Sequence, residues 1–324
     1  MHADTTIKIA VIGLGNMGKN HLKHYADIET CTLVSVCDIN PNLVRTYSEQ
    51  YQCKGYSNLD TLLNSEKIDA MSLIAPTKHH YSMAKKILSK KIHLLIEKPI
   101  AETVEESNEL IELANQNNLI LTVGHIERFN PAVLALKKAV DAGELGQIVS
   151  IHAKRAGVFP PQIRDANVLI DLAVHDIDII SSLIGHQPKK IAGTKGRAHL
   201  TQREDYALYY LTYGTIEQPQ TALVEVNWIT PKRVRTLTLT GTKGYAELDY
   251  IAQEVNLYKS LPHKASEEPD HLTMPFSEAS CLKIDKKPPL DSELRHFIDC
   301  IQHHRPPMVS AQQARDALKV SLAI

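Results

Sequence analysis

Ile7-Lys-Ile-Ala-Val-Ile-Gly13-Leu14-Gly15-Asn16-Met17-Gly18 decides how the first part of this chain folds. A short apolar run reads as a strand, G-x-G-x-x-G as a tight turn, and Asn16-Met17 as the start of a helix. Gly13 permits the turn, Gly15 lets backbone approach a pyrophosphate, and Gly18 lets the helix pack closely on the strand. The pyrophosphate would sit at the helix N-terminus, where unpaired N–H groups and the dipole favour an anion. The next strand ends in Asp38, 20 residues past Gly18. This is the position of a carboxylate that holds ribose hydroxyls. A carboxylate there repels a 2′-phosphate, and Ile39 is no compensating Arg, so the reading is NAD rather than NADP.

The same texture continues outward to about residue 125. β-rich runs at Thr32–Cys37, Asp69–Ala75, Ile92–Glu97 and Leu119–Val123 alternate with helical periods at Asn16–Ala26, Leu43–Tyr51, His80–Ser89 and Val104–Asn117. Strand–helix alternation implies βαβ units and a parallel sheet covered on both faces. After a helix at Pro131–Ala142 the pattern changes. Runs rich in Val, Thr, Tyr and Leu appear at Ile148–Ala156, Tyr206–Tyr213, Thr221–Trp228, Arg235–Thr240 and Tyr245–Tyr250, punctuated by Gly214 and Gly241-Thr-Lys-Gly244. They imply a mainly antiparallel sheet. A helix at Asn167–Leu183 is embedded among them, and Asp291–His303 and Ala311–Ala323 close the chain. Residues 259–289, rich in Pro, Ser, Glu and Lys, read as an exposed excursion. The expected fold is an α/β Rossmann domain (1–125), then an α+β domain (126–324) with a large, mainly antiparallel open sheet. The closing helices are placed either on the second domain or back on the first.

Composition excludes several classes. The chain has 324 residues, 43% hydrophobic and 23% charged, a globular mix long enough for about two domains. Lys+Arg 36 against Asp+Glu 37 lacks the basic excess of a nucleic-acid binder. No apolar run approaches the roughly 18 residues of a membrane helix, and the N-terminus lacks a signal peptide's features. A cytoplasmic protein without nucleic-acid or membrane partners is expected. The five cysteines form no C-x-x-C pair, so neither a zinc site nor a disulfide framework is expected.

Two places carry chemistry. Lys98 follows the run Ile92–Glu97, and a Lys at the carboxyl end of a parallel strand faces the crevice where open α/β sheets bind ligands. It can hydrogen-bond a reacting hydroxyl and stabilise oxyanion character. In Leu169-Ile-Asp171-Leu-Ala-Val-His175-Asp176, Asp171 and His175 are four apart on an otherwise apolar helix and share a face. An Asp that orients a His suits general-base catalysis. A structural hydrogen bond or half a metal site fits the same spacing.

These residues together resemble the Gfo/Idh/MocA oxidoreductases, over essentially the whole chain. Glu97-Lys98-Pro99 resembles the family's EKP motif. Ala75-Pro76-Thr77 followed by His80 resembles its cofactor-side element, and Asp171 with His175 its D-x-x-x-H pair. The resemblance implies Lys98 and His175 as the catalytic pair supported by Asp171, and a cis Lys98–Pro99 bond. It adds Asn16, Met17, Ala75, Pro76, Thr77, His80, Glu97 and Lys98 to the NAD-binding set, with no metal, and implies a homodimer or homotetramer through the open sheet. Within the family, Val123–Pro131 and Lys154–Asp165 resemble the UDP-N-acetylglucosamine 3-dehydrogenases. Those oxidise the C3 hydroxyl to a ketone for an aminotransferase, in bacteria towards lipid A. That implies a nucleotide-sugar substrate held by His125, Arg128, Asn130, Lys154, Arg155 and Arg164, since a diphosphate suits arginine. The usual glycines before the D-x-x-x-H helix are replaced by Asp165-Ala-Asn-Val168. A free sugar or cyclitol dehydrogenase, a relative that hydrolyses glycosides by transient oxidation, and a non-catalytic NAD-binding regulator are the rivals.

Overall fold

The computed structural model describes residues 6–160, 166–200, 202–259 and 279–324. In chain order the first elements are β1 (Ile7–Ile12), α1 (Asn16–Ala26), β2 (Cys31–Cys37), α2 (Pro41–Gln50), β3 (Lys54–Tyr56), α3 (Leu59–Ser65), β4 (Ala70–Leu73), α4 (His80–Ser89), β5 (His93–Glu97), α5 (Val104–Gln116) and β6 (Leu121–Gly124). Next come α6 (Pro131–Asp141), β7 (Ile148–Ala156), a π-turn (Leu169–Ala173) and α7 (Val174–Ile184). Strands β8 (Lys190–Gly196), β9 (Tyr206–Gly214), β10 (Pro219–Asn227), β11 (Val234–Gly241), β12 (Gly244–Asp249), β13 (Glu254–Lys259) and β14 (Ser280–Cys281) follow, then α8 (Pro289–Gln302) and α9 (Ala311–Ser321).

The described residues divide into two compact units. One holds the chain up to Phe129 and Pro288–Leu322; the other holds Asn130 to Lys287, apart from the stretch around Ala166, and the final Ala323–Ile324. The units are therefore not two contiguous halves. The apolar face of α8, Leu290, Leu294, Phe297, Ile298 and Ile301, lies in one core with Ile9, Val11, Leu22, Val36 and Leu95. That spacing is a helix stripe, and β1, β2 and β5 supply its partners.

The first unit's sheet has the order β3-β2-β1-β4-β5-β6, and its five pairings are parallel. Chain direction across the sheet reverses between β1 and β4. Ligands of such sheets bind outside the strand carboxyl ends at that reversal, where Gly13 and Ala75 follow their strands. β3 and α3 are additions to the sequence reading. A three-residue strand containing Gly55 offers no periodicity to detect.

The second unit has an eight-stranded sheet, β14-β13-β12-β11-β7-β10-β9-β8. Only β7 with β10 is parallel among its pairings. Helices α6 and α7 pack on one face. Along β7, Ile151, Ala153 and Arg155 are buried while His152 and Lys154 are exposed, the two-residue period of a sheet with unlike faces. On the other face Val149, Leu208 and Tyr210 are exposed. The continuous helix expected over 167–183 is instead a π-turn leading into α7.

Candidate active site

The glycine turn is built as an anion cradle. Gly13 has φ +90°, and a Cβ there would lie 2.4 Å from the Ile74 carbonyl oxygen. A Cβ on Gly18 would lie 1.9 Å from the Gly13 oxygen, so both glycines are demanded by backbone packing. Gly15 differs: a Cβ there meets nothing within 4 Å. The space before it is open, as a pyrophosphate requires. The first turn of α1, with Asn16 and Met17, contains no acid, and no side chain caps it, which leaves its N–H groups and dipole to an anion. These residues fit NAD.

Asp38 Oδ2 accepts from Leu14 N at 2.7 Å and Oδ1 from Asn40 N at 2.8 Å. The carboxylate thus locks the turn and keeps further lone pairs for ribose hydroxyls. Asp38→Asn should raise KM for NAD roughly 10–100-fold, because a hydrogen bond to a charged group contributes about 1.5–3 kcal/mol. Parallel KM measurements with NAD and NADP should show a narrower preference for NAD. An unchanged ratio would overturn the ribose role.

At the carboxyl end of β4, Ala75, Pro76 and Thr77 form the bend into a 3-10 turn over Thr77–His79. His80 is 1% exposed, with Nδ1 2.7 Å from the Pro99 oxygen and Nε2 2.7 Å from the Ala75 oxygen. Both nitrogens are committed to main chain. His80 braces the Ala75 bend against the Lys98–Pro99 bond. That Lys98–Pro99 bond is cis.

Glu97 ends β5. Its Oε1 lies 3.3 Å from His21 Nε2, and Oε2 accepts from Lys98 N at 3.2 Å. Burial pushes its pKa up, but His21, the Lys98 charge and the Lys98 N–H together hold the carboxyl below its usual range. Gly124 makes room: a Cβ there would come within 3.1 Å of that carboxyl group. Glu97 is therefore a part-buried support for the Lys98 main chain. Lys98 itself is part-buried. Glu293 on α8 lies in electrostatic range of Glu97, and burial, then that charge, push its carboxyl pKa well up.

In the second unit Asp171 lies in the π-turn and His175 in the first turn of α7, both part-buried. A π-turn closes i→i+5 rings, so the 3.6-residue spacing does not carry over unchanged, and the single-helix geometry is corrected to a turn-plus-helix. π-turns are often found at functional sites. Among the described residues no cluster of three or more His, Cys, Asp or Glu could hold a metal ion.

Comparison with known proteins fits this construction. Residues 7–125 match "Oxidoreductase family, NAD-binding Rossmann fold" of the Gfo/Idh/MocA group, and residues 133–247 match its "GFO/IDH/MocA C-terminal domain". The chain belongs to the Gfo/Idh/MocA oxidoreductase family. It is an NAD-dependent oxidoreductase acting on CH–OH groups. UDP-N-acetylglucosamine 3-dehydrogenase of Acidithiobacillus ferrooxidans is 28% identical over 98% of this chain and 96% of its own length. A solved structure of that enzyme has a TM-score of 0.86 at 26% identity, covering 98% of this chain and 96% of that one. The scyllo-inositol 2-dehydrogenase (NAD(+)) of Bacillus subtilis is 26% identical over 98% of this chain and 92% of its own.

Several of the expected sugar-side residues have protein partners. Arg155 is 4% exposed, and its Nε and Nη2 bond Asp176 Oδ2 and Oδ1 at 2.7 and 3.0 Å. A substrate phosphate would have to displace that carboxylate. Asn130 caps α6 through Ala132 N and donates to the Tyr250 oxygen at 3.0 Å. Arg128 is buried, with Nη2 3.4 Å from the Met308 oxygen and from Gln313 Oε1, which ties it to the approach to α9. Lys154 is on the open sheet face, 3.0 Å from Glu225. His125 is buried. Arg164 lies outside the described residues. Sequence reasoning missed Asn167, which caps the π-turn. An Asn just before an apolar helical run was the available signal.

Proposed function

We propose that this enzyme oxidises C3 of UDP-N-acetylglucosamine to a ketone, which an aminotransferase then converts to an amine, in bacteria towards lipid A. The supporting observation is a likeness to UDP-N-acetylglucosamine 3-dehydrogenase that spans 98% of the chain in both sequence and fold. NAD, when bound, supplies the hydride acceptor. Lys98 Nζ hydrogen-bonds the reacting hydroxyl oxygen and stabilises its developing negative charge. His175, oriented by Asp171, removes the hydroxyl proton; Nδ1 is buried, which leaves Nε2 for that proton. The glycine turn and Asp38 fix the cofactor, since most of the catalytic gain comes from orientation and polarisation. The open sheet face, with exposed Val149, Leu208 and Tyr210, is the surface through which we place a homodimer or homotetramer.

A free cyclitol substrate is the second reading, favoured by the inositol dehydrogenase relative at 26% identity and by the commitment of Arg155 to Asp176. Purified enzyme with NAD should form NADH with UDP-N-acetylglucosamine, and not with myo-inositol or free N-acetylglucosamine. An aminotransferase with its amino donor should be included to pull the ketone away. Turnover with the free polyols alone would sink the nucleotide-sugar reading. Light scattering on the same sample checks the oligomer, and a monomer mass would remove it.

A further inference from the structure

The turn that carries Asp171 is held by a pair of side chains outside the catalytic set. Asn167 Oδ1 accepts from Leu169 N at 3.2 Å and Ile170 N at 3.3 Å, while its carbonyl accepts from Asp171 N at 3.0 Å. Its amide Nδ2 donates to Glu204 Oε2 at 2.9 Å, and Val168 N donates to the Glu204 oxygen at 3.2 Å. One residue therefore caps the turn and fastens it to the loop before β9.

That loop is itself hydrogen-bonded at Asp205. Asp205 is 1% exposed, and its carboxylate accepts from Ala198, His199 and Leu200 N at 2.8, 2.6 and 2.8 Å. Its carbonyl accepts from Trp228 N at 2.8 Å. Arg197 Nη2 stands 3.6 Å from Glu204 Oε1. Backbone N–H, then Asn167, Arg197 and Lys195, acting against burial, hold the Glu204 carboxyl below its usual range. An ionised acceptor makes the Asn167 bond charge-assisted, the stronger kind. π-turns are rare, mostly single-turn bulges, and this one is fastened from outside by Glu204.

We propose that Asn167 and Glu204 are positioning residues for the reaction, acting through the π-turn on Asp171 and, one turn later, on His175. This rests on the reading of Asp171 and His175 as catalytic groups. The same two side chains set where the Asp171 carboxylate is held, so their loss acts on kcat more than on KM.

A rescue series tests the role, assayed with NAD and UDP-N-acetylglucosamine beside Asp171→Asn and His175→Ala. Asn167→Ala should lower kcat about tenfold with KM for the sugar within threefold. Asn167→Asp keeps the cap but sets a second carboxylate against Glu204. Only a shared proton relieves two such groups, so kcat relative to wild type at the same pH should fall steeply as pH rises and recover on acidification. Arg197, Lys195 and Asp205 beside Glu204, with Asp171, His175 and Asp176 on the helix side, are unchanged throughout, so the added pH dependence belongs to position 167. The double variant Asn167→Asp, Glu204→Gln, in which the glutamine amide donates back to the new carboxylate, should restore kcat and flatten that profile. A merely structural role would lower thermal stability without the pH-dependent loss or the rescue. If Asp171→Asn and His175→Ala abolish turnover while every Asn167 variant keeps wild-type kcat, the positioning role is wrong. If Asp171→Asn and His175→Ala keep wild-type kcat, the catalytic reading itself is wrong and the positioning role goes with it.

Discussion

Lys98→Ala should lower kcat by about 10²–10⁴-fold, the range for a positioned group acting on the reacting atom, with NAD binding within a few-fold. The glycine turn and Asp38 are held by bonds other than those of the Lys98 side chain. Gly13, Gly18 and Asp38 are fixed by backbone packing and by bonds to Leu14 and Asn40, and His80 still braces Pro99 to Ala75. On the proposed mechanism, what disappears is one donor to the oxygen that acquires negative charge. Lys98→Met is the better packed control, since it fills the same space without charge. His175→Ala should fall in the same range because it removes the proposed proton acceptor. The double variant should lose little more than the worse single one, as groups that act as a unit are not additive. Equilibrium NAD binding by fluorescence and steady-state kcat separate the two effects. A kcat within a few-fold of wild type in either single variant would remove that residue from the reaction.

How far the chain could be read from its sequence depends on the kind of constraint. Gly13 and Gly18 were legible because each is forced by a backbone clash at a fixed spacing, and Asp38 because the length of one βαβ step sets its place. The element carrying His175 was only half legible. Apolar periodicity announces a helix, but not that its first turn closes with i→i+5 bonds. β3 was hidden by its three residues. His80 shows a different limit: its motif position marks the cofactor side, yet its two ring nitrogens are spent on main-chain oxygens, which no spacing reveals. The burial of Arg155 had a visible signal. Ile151, Ala153 and Arg155 share one face of β7, and two apolar neighbours in a period of two already place the third inward. Lys154, the position just before it, is on the outer face and pairs with Glu225 across the parallel β7–β10 ladder.

That buried arginine yields the second large effect. Arg155→Met should destabilise the protein by about 3–5 kcal/mol, the cost of leaving one member of a buried pair without its partner. Arg155 and Asp176 side chains are only 5% and 1% exposed, and the Arg155 guanidinium also lies over the Tyr250 ring, 4.9 Å from its centroid. Asp176→Leu should cost a similar amount by stranding the guanidinium. Combining the two changes should return much of the loss, because apolar groups of similar volume often replace a buried ion pair at little net cost. Denaturant midpoints for wild type, both singles and the double close the cycle. Kinetics on the same proteins separate this role from the phosphate contact expected of Arg155 in the sequence. A structural pair leaves the KM ratio between UDP-N-acetylglucosamine and free N-acetylglucosamine unchanged in the double variant. A phosphate ligand would raise KM for the nucleotide sugar alone, and would leave Arg155→Met close to wild type in stability. The bidentate bond to Asp176 favours the first result, because a substrate phosphate reaching Arg155 would leave a buried carboxylate unpaired at the moment of binding.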